Sequence, residues 1–518
     1  MSGISTVLRA CLSLAKAGDE FLRSPADVFG ICGYLAKSYG FYRVYSESGK
    51  FPRSRVLEAV DDAGAWRTAI EQTPARIADI PASVTQAWAA VVDFIESDEV
   101  SVPAELVNSC LHLIICTDEM HAGVGLPGGG GTTFEVRADL RLNQGTLCRI
   151  VPSEFARVLP KQHVPQSGFN MRSLTHHLAL CTSSEVRPIW TQLPKPVVSR
   201  RASYNVLIAP WPLSMRASDI ASSASVAEGA NFGYFDYQPS RIKGAGVAEW
   251  TSQILLHSGE LGQPVDLIVF PECSLDEAEW ETVSAVAADH GAFIVAGVRG
   301  RNESDNRGTN VVRLRAPYKW QESEPQHKHH RWKLNRSQIT AYGLGGTLQS
   351  AAEWWENIDV RERTLNFFAM SEDLVICPLI CEDLARQDPV AEMVRSVGPN
   401  LVVALLMDGP QLPQRWSARY ASVLADDPGS SVLTVTSLGM VRLSKPVGVP
   451  SQRIVASWRD AFGDFMPIEL HGKEEAVVLN LQFRRSEERS VDGRTDGGVA
   501  SYPILCGVHP VSSGNELS

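Results

Sequence analysis

Residues 267–280 read LIVFPECSLDEAEW, and this stretch decides how the chain folds. Four apolar residues, Leu267 to Phe270, run into Pro271 and then Glu272. A continuous β-branched and aromatic run reads as a strand buried on both faces, and Pro271 reads as its end. The end of a buried strand is where α/β proteins place reactive groups, so Glu272 is a candidate functional carboxylate. The following segment, DEAEWETVSAVAADHG over 276–291, has helical periodicity, and Gly291 suits its C-terminal cap.

The same alternation extends in both directions. Residues 204–212 (YNVLIAPWP), 292–300 (AFIVAGVRG), 309–318 (TNVVRLRAPY), 373–383 (DLVICPLICED), 400–407 (NLVVALLM), 431–438 (SVLTVTSL), 452–458 (QRIVASW) and 474–483 (EEAVVLNLQF) read as strands. Helical patterns lie between them at 245–259, 384–398 and 414–427. Regular βα alternation predicts a layered α/β domain. Residues 1–120 differ: 83–100 and 103–123 place apolar residues at i, i+3, i+4 and i+7, which predicts helices. The chain thus divides into a mainly helical segment over 1–200, an α/β domain over 203–483, and a charged, Gly/Ser-rich extension over 484–518 that reads as a loose tail. QLPKPVVSRRASY, 192–204, reads as a linker.

The chain has 518 residues, 44% hydrophobic and 21% charged, with formal net charge −11. Two or more domains with sizeable cores are expected. The negative charge argues against broad binding to nucleic acid or an anionic membrane. No apolar run approaches a membrane span, and Arg9 and Lys16 interrupt the N-terminal apolar pattern, so an amphipathic helix is expected there and not a signal peptide. Ten cysteines without framework spacing read as reduced thiols in a cytoplasmic protein. The glycine-rich run at 123–134 lacks the Gly-Lys-Ser/Thr ending of a phosphate-binding loop.

A second reactive strand end is LVICPLICED, 374–383. The apolar run stops at Cys381, and a helix is expected to follow. The free N–H groups at a helix start favour thiolate. Cys377, in mid-strand, reads as inert, and Cys377-x3-Cys381 is not a zinc spacing. Between the two strand ends lies QESEPQHKHHRWKLNRSQI, 321–339, carrying Lys328 and Lys333. Adjacent His329 and His330 would point apart in a strand, which disfavours a shared metal. A thiolate, a carboxylate and an ammonium can together attack a carbonyl or nitrile carbon, move the proton and stabilise the oxyanion.

In this order the motifs resemble the nitrilase (carbon–nitrogen hydrolase) superfamily. FPE matches its Glu motif at Glu272. LICED matches its Cys motif at Cys381. QHKHHRW keeps the Lys-x-His of its lysine motif at Lys328, with Gln326 and Arg331 in place of the usual Tyr and Leu; Lys333 is the alternative lysine. Lys328 lies 18 residues past Asn310, a spacing that suits the family's hairpin. The resemblance, over about residues 203–482, implies an αββα sandwich of two mixed sheets flanked by helices. It implies hydrolysis of an amide or nitrile through a Glu–Lys–Cys triad, with no metal and no organic cofactor. It also implies homodimers or larger homo-oligomers, for which Trp416, Tyr420 and Leu424 form a helical stripe. The family's second Glu has no match at Gln338, and Glu353 is distant. KHHRWKLNRSQI, the WWE at 354–356, ICEDLARQDPV and DGPQL are similar to a bacterial subgroup found near reverse transcriptases in anti-phage defence, which implies a reverse transcriptase or other defence partner. The competing reading is a nitrilase-fold interaction or sensor module without turnover.

Overall fold

A computed structural model of the protein describes residues 2–15, 18–46, 51–72, 76–97, 101–127, 131–166, 168–183, 185–192, 203–223, 231–239, 246–317, 322–444 and 452–514. The expected linker falls mostly on 193–202 and the glycine-rich run partly on 128–130, outside the described residues. The fold is mixed α/β, with several sheets and helices.

Two seven-stranded sheets organise the chain from residue 187 onward. The first runs in the order Gln326–His327, Gly308–Arg315, Phe293–Arg301, Leu267–Asp276, Ser203–Ile208, Ala476–Ser486 and Ala500–Val511. The second runs Met466–Glu469, Ile454–Arg459, Ser431–Thr436, Leu401–Leu406, Leu374–Ile380, Thr364–Ser371 and Arg187–Gln192. Strand alternation sorts the apolar residues into layers. Val206, Ile208, Leu267 and Val269 join one buried cluster with Val403, Leu405, Leu433 and Val435 of the second sheet. Leu207, Ile268, Phe270 and Ile294 point the other way, onto Trp250 and Ile254 of helix Val247–Glu260 and Trp280 and Val283 of helix Glu277–Asp289. Each fully buried aromatic of this set, such as Phe270, contributes about 2–3 kcal/mol of hydrophobic stabilisation.

The N-terminal part carries helices Ser2–Ser13, Pro25–Tyr39, Arg53–Glu71, Ala82–Glu96, Ala104–Met120 and Thr133–Leu142. Its apolar residues, Trp66 and Leu111 among them, belong to the same continuous cluster as the second sheet. Strand Arg187–Gln192 pairs in parallel with Thr364–Ser371. No helix among the described residues is long and apolar enough to cross a membrane.

Three local expectations are corrected. The strand at 267 does not stop at Pro271 but continues to Asp276. The helix expected from Leu384 begins only at Glu392, after a 3₁₀ turn at Cys381–Ala385 and an irregular turn. Pro389 cannot donate an N–H and restricts the residue before it, so a regular helix cannot run through. The stretch expected as a loose tail contains strand Ala500–Val511, paired along the full length of Ala476–Ser486.

Candidate active site

The strand that carries Glu272 bulges at this carboxylate. Its pairing with Phe293–Arg301 breaks between Phe270 and Leu275, so Pro271, Glu272 and Cys273 stand out of register. Cys273 takes a left-handed φ of 52°. The neighbouring strand accommodates the bulge with Gly297: a Cβ there would lie 2.5 Å from both the Glu272 Cα and the Pro271 carbonyl oxygen. Backbone so close leaves room only for glycine. Such bulges re-aim side chains, and this one turns Glu272 inward, 3% exposed.

Lys328 comes from the far edge of the same sheet. The two-residue strand Gln326–His327 pairs with Val312 and Val311, and the Lys328 N–H then donates to the Asn310 carbonyl at 2.9 Å. Gln326 is fully buried. Its Nε2 donates to the Pro378 carbonyl at 2.9 Å, and its Oε1 accepts from the Asn366 N–H at 2.8 Å. It therefore ties this loop to the second sheet.

The Lys328 ammonium donates to Glu272 Oε1 at 2.7 Å and to Glu356 Oε2 at 2.6 Å. Asn310 Nδ2 bridges the same carboxylates at 2.8 and 2.9 Å. Glu356 closes the short strand Glu353–Glu356, and its Oε2 also accepts from the Trp332 N–H at 3.0 Å. The sequence shows no second glutamate at Gln338 and only a distant one at Glu353, so Glu356 goes unread there; the WWE at 354–356, two aromatics before a glutamate, is the one signal for it. Lys333, the alternative lysine, pairs with Glu353 at 2.8 Å, sits over the Trp355 ring and is 40% exposed.

Cys381 follows strand Leu374–Ile380 at the sharp turn, with φ 45° and 3% exposure. Burial raises its thiol well above the ordinary range, and the Glu272 charge raises it further, while Lys328 opposes. No α-helix starts here, so the expected thiolate-favouring helix end is absent. The charge of Glu272 reaches this thiol. Burial and the charge of Glu356 raise the basicity of this carboxylate against the pull of Lys328. Its Oε1 is occupied, but Oε2 is buried without a partner.

Asp383, two residues past Cys381, holds the lysine loop. Its oxygens accept from His330 Nδ1 at 2.9 Å and the His329 N–H at 3.2 Å. His329 Nε2 donates to the Thr364 carbonyl at 2.7 Å. Two groups of side chains, Glu272–Cys273–Glu356 and Asp62–His112–Cys116, lie close enough to share a cation among the described residues; in the first, Lys328 already supplies the positive charge.

Cys381 opens on a cavity of about 720 Å³, lined among others by Trp332, Tyr342, Asp408, Arg415 and Trp416. Asp408 organises this wall: it accepts from the Tyr342 hydroxyl, from Arg415, and from Trp416 Nε1 at 3.0 Å. Of the stripe read as an assembly face, Trp416 and Tyr420 line this cavity, while Leu424 is buried in the core.

No family profile and no curated protein sequence matches the chain. Among solved structures it is similar to a double mutant of the amidase from Nesterenkonia sp. AN1 in complex with acrylamide, at 12% identity and a TM-score of 0.31, over 55% of this chain and 92% of that one. It is similar to Saccharomyces cerevisiae Nit3, a member of branch 10 of the nitrilase superfamily, at 11% identity and 0.34, over 55% and 93%. It is also similar to a CN-hydrolase superfamily protein from Xanthomonas campestris, at 14% and 0.30, over 54% and 91%.

Proposed function

We propose that the protein is a hydrolase of non-peptide carbon–nitrogen bonds, acting on a small amide or nitrile through a covalent Cys381 intermediate. The observation that carries this reading is the unpartnered Glu272 Oε2, beside a lysine whose charge also reaches the Cys381 thiol. In this scheme, written for an amide, Glu272 takes the thiol proton as sulfur bonds to the substrate carbon; a nitrile would first give a thioimidate, which releases its nitrogen only after water adds. The carbonyl π electrons move onto oxygen, where the Lys328 ammonium stabilises them. The protonated Glu272 returns the proton to the leaving nitrogen, the C–N bond breaks, and a thioester remains. Glu272 then deprotonates water, which attacks the thioester; the acid leaves and the thiol regains its proton. Glu356 and Asn310 are positioning residues in this scheme, since they hold Lys328 and Glu272.

The layered packing of the two sheets, with helices over the outer face of the first, supports an αββα reading of residues 203–483, to which residues 187–192 add an edge strand. The test is intact-protein mass spectrometry after incubation with a panel of short amides and nitriles, with ammonia release measured in parallel. Acyl adducts on Cys381 with ammonia release are expected, and neither in the C381A variant. Adducts without ammonia release would favour the sensor reading; no adduct with any substrate or thiol electrophile would remove the hydrolase reading.

A further inference from the structure

The second group of side chains close enough to share a cation, Asp62–His112–Cys116, lies in the N-terminal part, and none of its residues lines the Cys381 cavity. His112 and Cys116 stand four residues apart on helix Ala104–Met120, so they share one face of it. That face packs on helix Arg53–Glu71, which supplies Asp62. A carboxylate oxygen, an imidazole nitrogen and a sulfur thus come within 4.8 Å of one another. Cys116 is fully buried and His112 is 9% exposed. Ser83 Oγ, from helix Ala82–Glu96, donates to Asp62 Oδ2 at 2.5 Å and fixes the carboxylate, as the partners of metal ligands do.

The approach of His112 to Asp62 is the informative contact. Nε2 lies 3.0 Å from Asp62 Oδ2, yet this buried nitrogen makes no hydrogen bond. The oxygen stands off the line that a ring N–H needs. Two electron-rich atoms so close, with no hydrogen directed between them, repel; a cation faced by both turns the contact into attraction. A zinc ion sits about 2.0–2.3 Å from nitrogen, oxygen and sulfur donors, nearer than the roughly 2.7 Å at which a water stops. Loss of water-accessible surface on Nε2 therefore does not close the site to an ion. The side chains of His112 and Asp62 keep 11% and 17% exposure, which gives the ion a way in and a water the fourth position.

We propose that Asp62, His112 and Cys116 bind a zinc ion that ties helix Arg53–Glu71 to helix Ala104–Met120. Imidazole and thiolate select a borderline transition ion over magnesium or calcium. On binding, Cys116 releases its thiol proton to solvent and the sulfur bonds to zinc. The hydrogen bond from this thiol to the Ala59 carbonyl, 3.1 Å long, is given up. That carbonyl lies inside helix Arg53–Glu71, where the amide four residues on still serves it.

The test is calorimetric titration of the chelator-stripped, full-length protein with Zn²⁺, with Mg²⁺ as the hard-ion control and Co²⁺ as a spectroscopic probe. One zinc per chain is expected, with a melting temperature that rises with zinc concentration. Cobalt should give the near-ultraviolet charge-transfer band of a thiolate ligand and visible bands of tetrahedral intensity. C116S and D62N change little volume, and circular dichroism of the stripped proteins checks that both fold. Each should weaken zinc binding by at least about tenfold, a loss already typical of a partner one layer further out, and C116S should abolish the charge-transfer band. C506S, which removes the exposed thiol, should change nothing. The proposal is overturned by no zinc binding to the folded parent, by equal affinity for magnesium, by a cobalt complex without the thiolate band, by binding indifferent to C116S and D62N, or by binding lost in C506S.

Discussion

Lys328 and Glu272 meet at 2.7 Å inside the protein, with side-chain exposures of 1% and 0%. Their partner Glu356 is 4% exposed. Replacing Lys328 by methionine leaves two buried carboxylates without a counter-charge. Breaking a buried pair in this way typically costs about 3–5 kcal/mol, so a large fall in the urea midpoint is expected for K328M. Exposed Lys333 makes only surface contacts, and K333A should stay within about 0.5 kcal/mol of the parent. Equal effects of the two substitutions would contradict the placement of the buried lysine.

The thiol of Cys381 is small, and alanine deletes little volume, so C381A should keep its circular dichroism and melting temperature within a few degrees. Labelling of that position by a thiol electrophile should vanish. Because the carboxyl of Glu272 is raised, it accepts a proton at a higher pH than an ordinary glutamate. The acid limb of the kcat/KM profile should therefore lie above the usual glutamate range, with activity lost as pH falls through it. A limb at or below that range would argue for another base.

Gly297 is the residue that lets Glu272 bulge. A methyl group there meets backbone atoms of Pro271, Glu272 and Cys273 at 2.5–2.7 Å, and backbone cannot step aside as a flexible side chain can. G297A is expected to lose at least about 2–3 kcal/mol, within the range of overpacking penalties, and to lower hydrolysis more than its stability loss explains, because Glu272 moves. Wild-type activity in G297A would show that the bulge does not set the position of this carboxylate.

Two buried histidines set an acid sensitivity. Burial depresses both His121 and His176 to about 4, against the bond of His121 to the Thr117 carbonyl and the charge of Asp118 near His176. Their ordinary value is about 6.5. Between these values the unfolded chain binds protons that the folded chain refuses, so stability is full above pH 6.5 and falls as pH drops towards 4. Linkage gives about 1.4 kcal/mol per pH unit for each histidine in that window. Urea midpoints measured from pH 6.5 to 5 should show a slope of this sign, to which His112, His327 and His329, also lowered by burial, add, and H176N should remove at most about 1.4 kcal/mol per pH unit of it. A flat profile would exclude neutral burial of both rings.

How far the sequence could be read depended on the length and purity of its apolar runs. Strands such as Leu401–Leu406 and Leu374–Ile380 are buried throughout and stand out as unbroken hydrophobic segments. The bulge at Pro271 does not, because proline reads equally as a strand end. Glu356 lies at the end of a four-residue strand in a small four-stranded sheet with Lys333–Leu334, Phe232–Tyr237 and Ile220–Ser222. Segments so short carry no periodicity, so the residue that completes the charge cluster left almost no trace. Strand Ala500–Val511 was hidden for another reason: Pro503, Gly507 and Pro510 interrupt it, and its exposed positions resemble a tail. Its partner strand, and not its own composition, makes it a strand.

The edge strand Arg187–Gln192 has a practical consequence for handling the protein. It covers Thr364–Ser371, whose residues are buried from Thr364 through Met370. A truncation starting at residue 203 would strip that cover and expose the unpaired amide groups of a long apolar strand, the geometry that recruits other chains by edge-to-edge pairing. Such a fragment should aggregate on expression, whereas one that retains residue 187 onward keeps the edge closed. The N-terminal segment therefore acts, at this seam, as a built-in guard against misassembly, and gene splitting or domain swapping at residue 203 would defeat it.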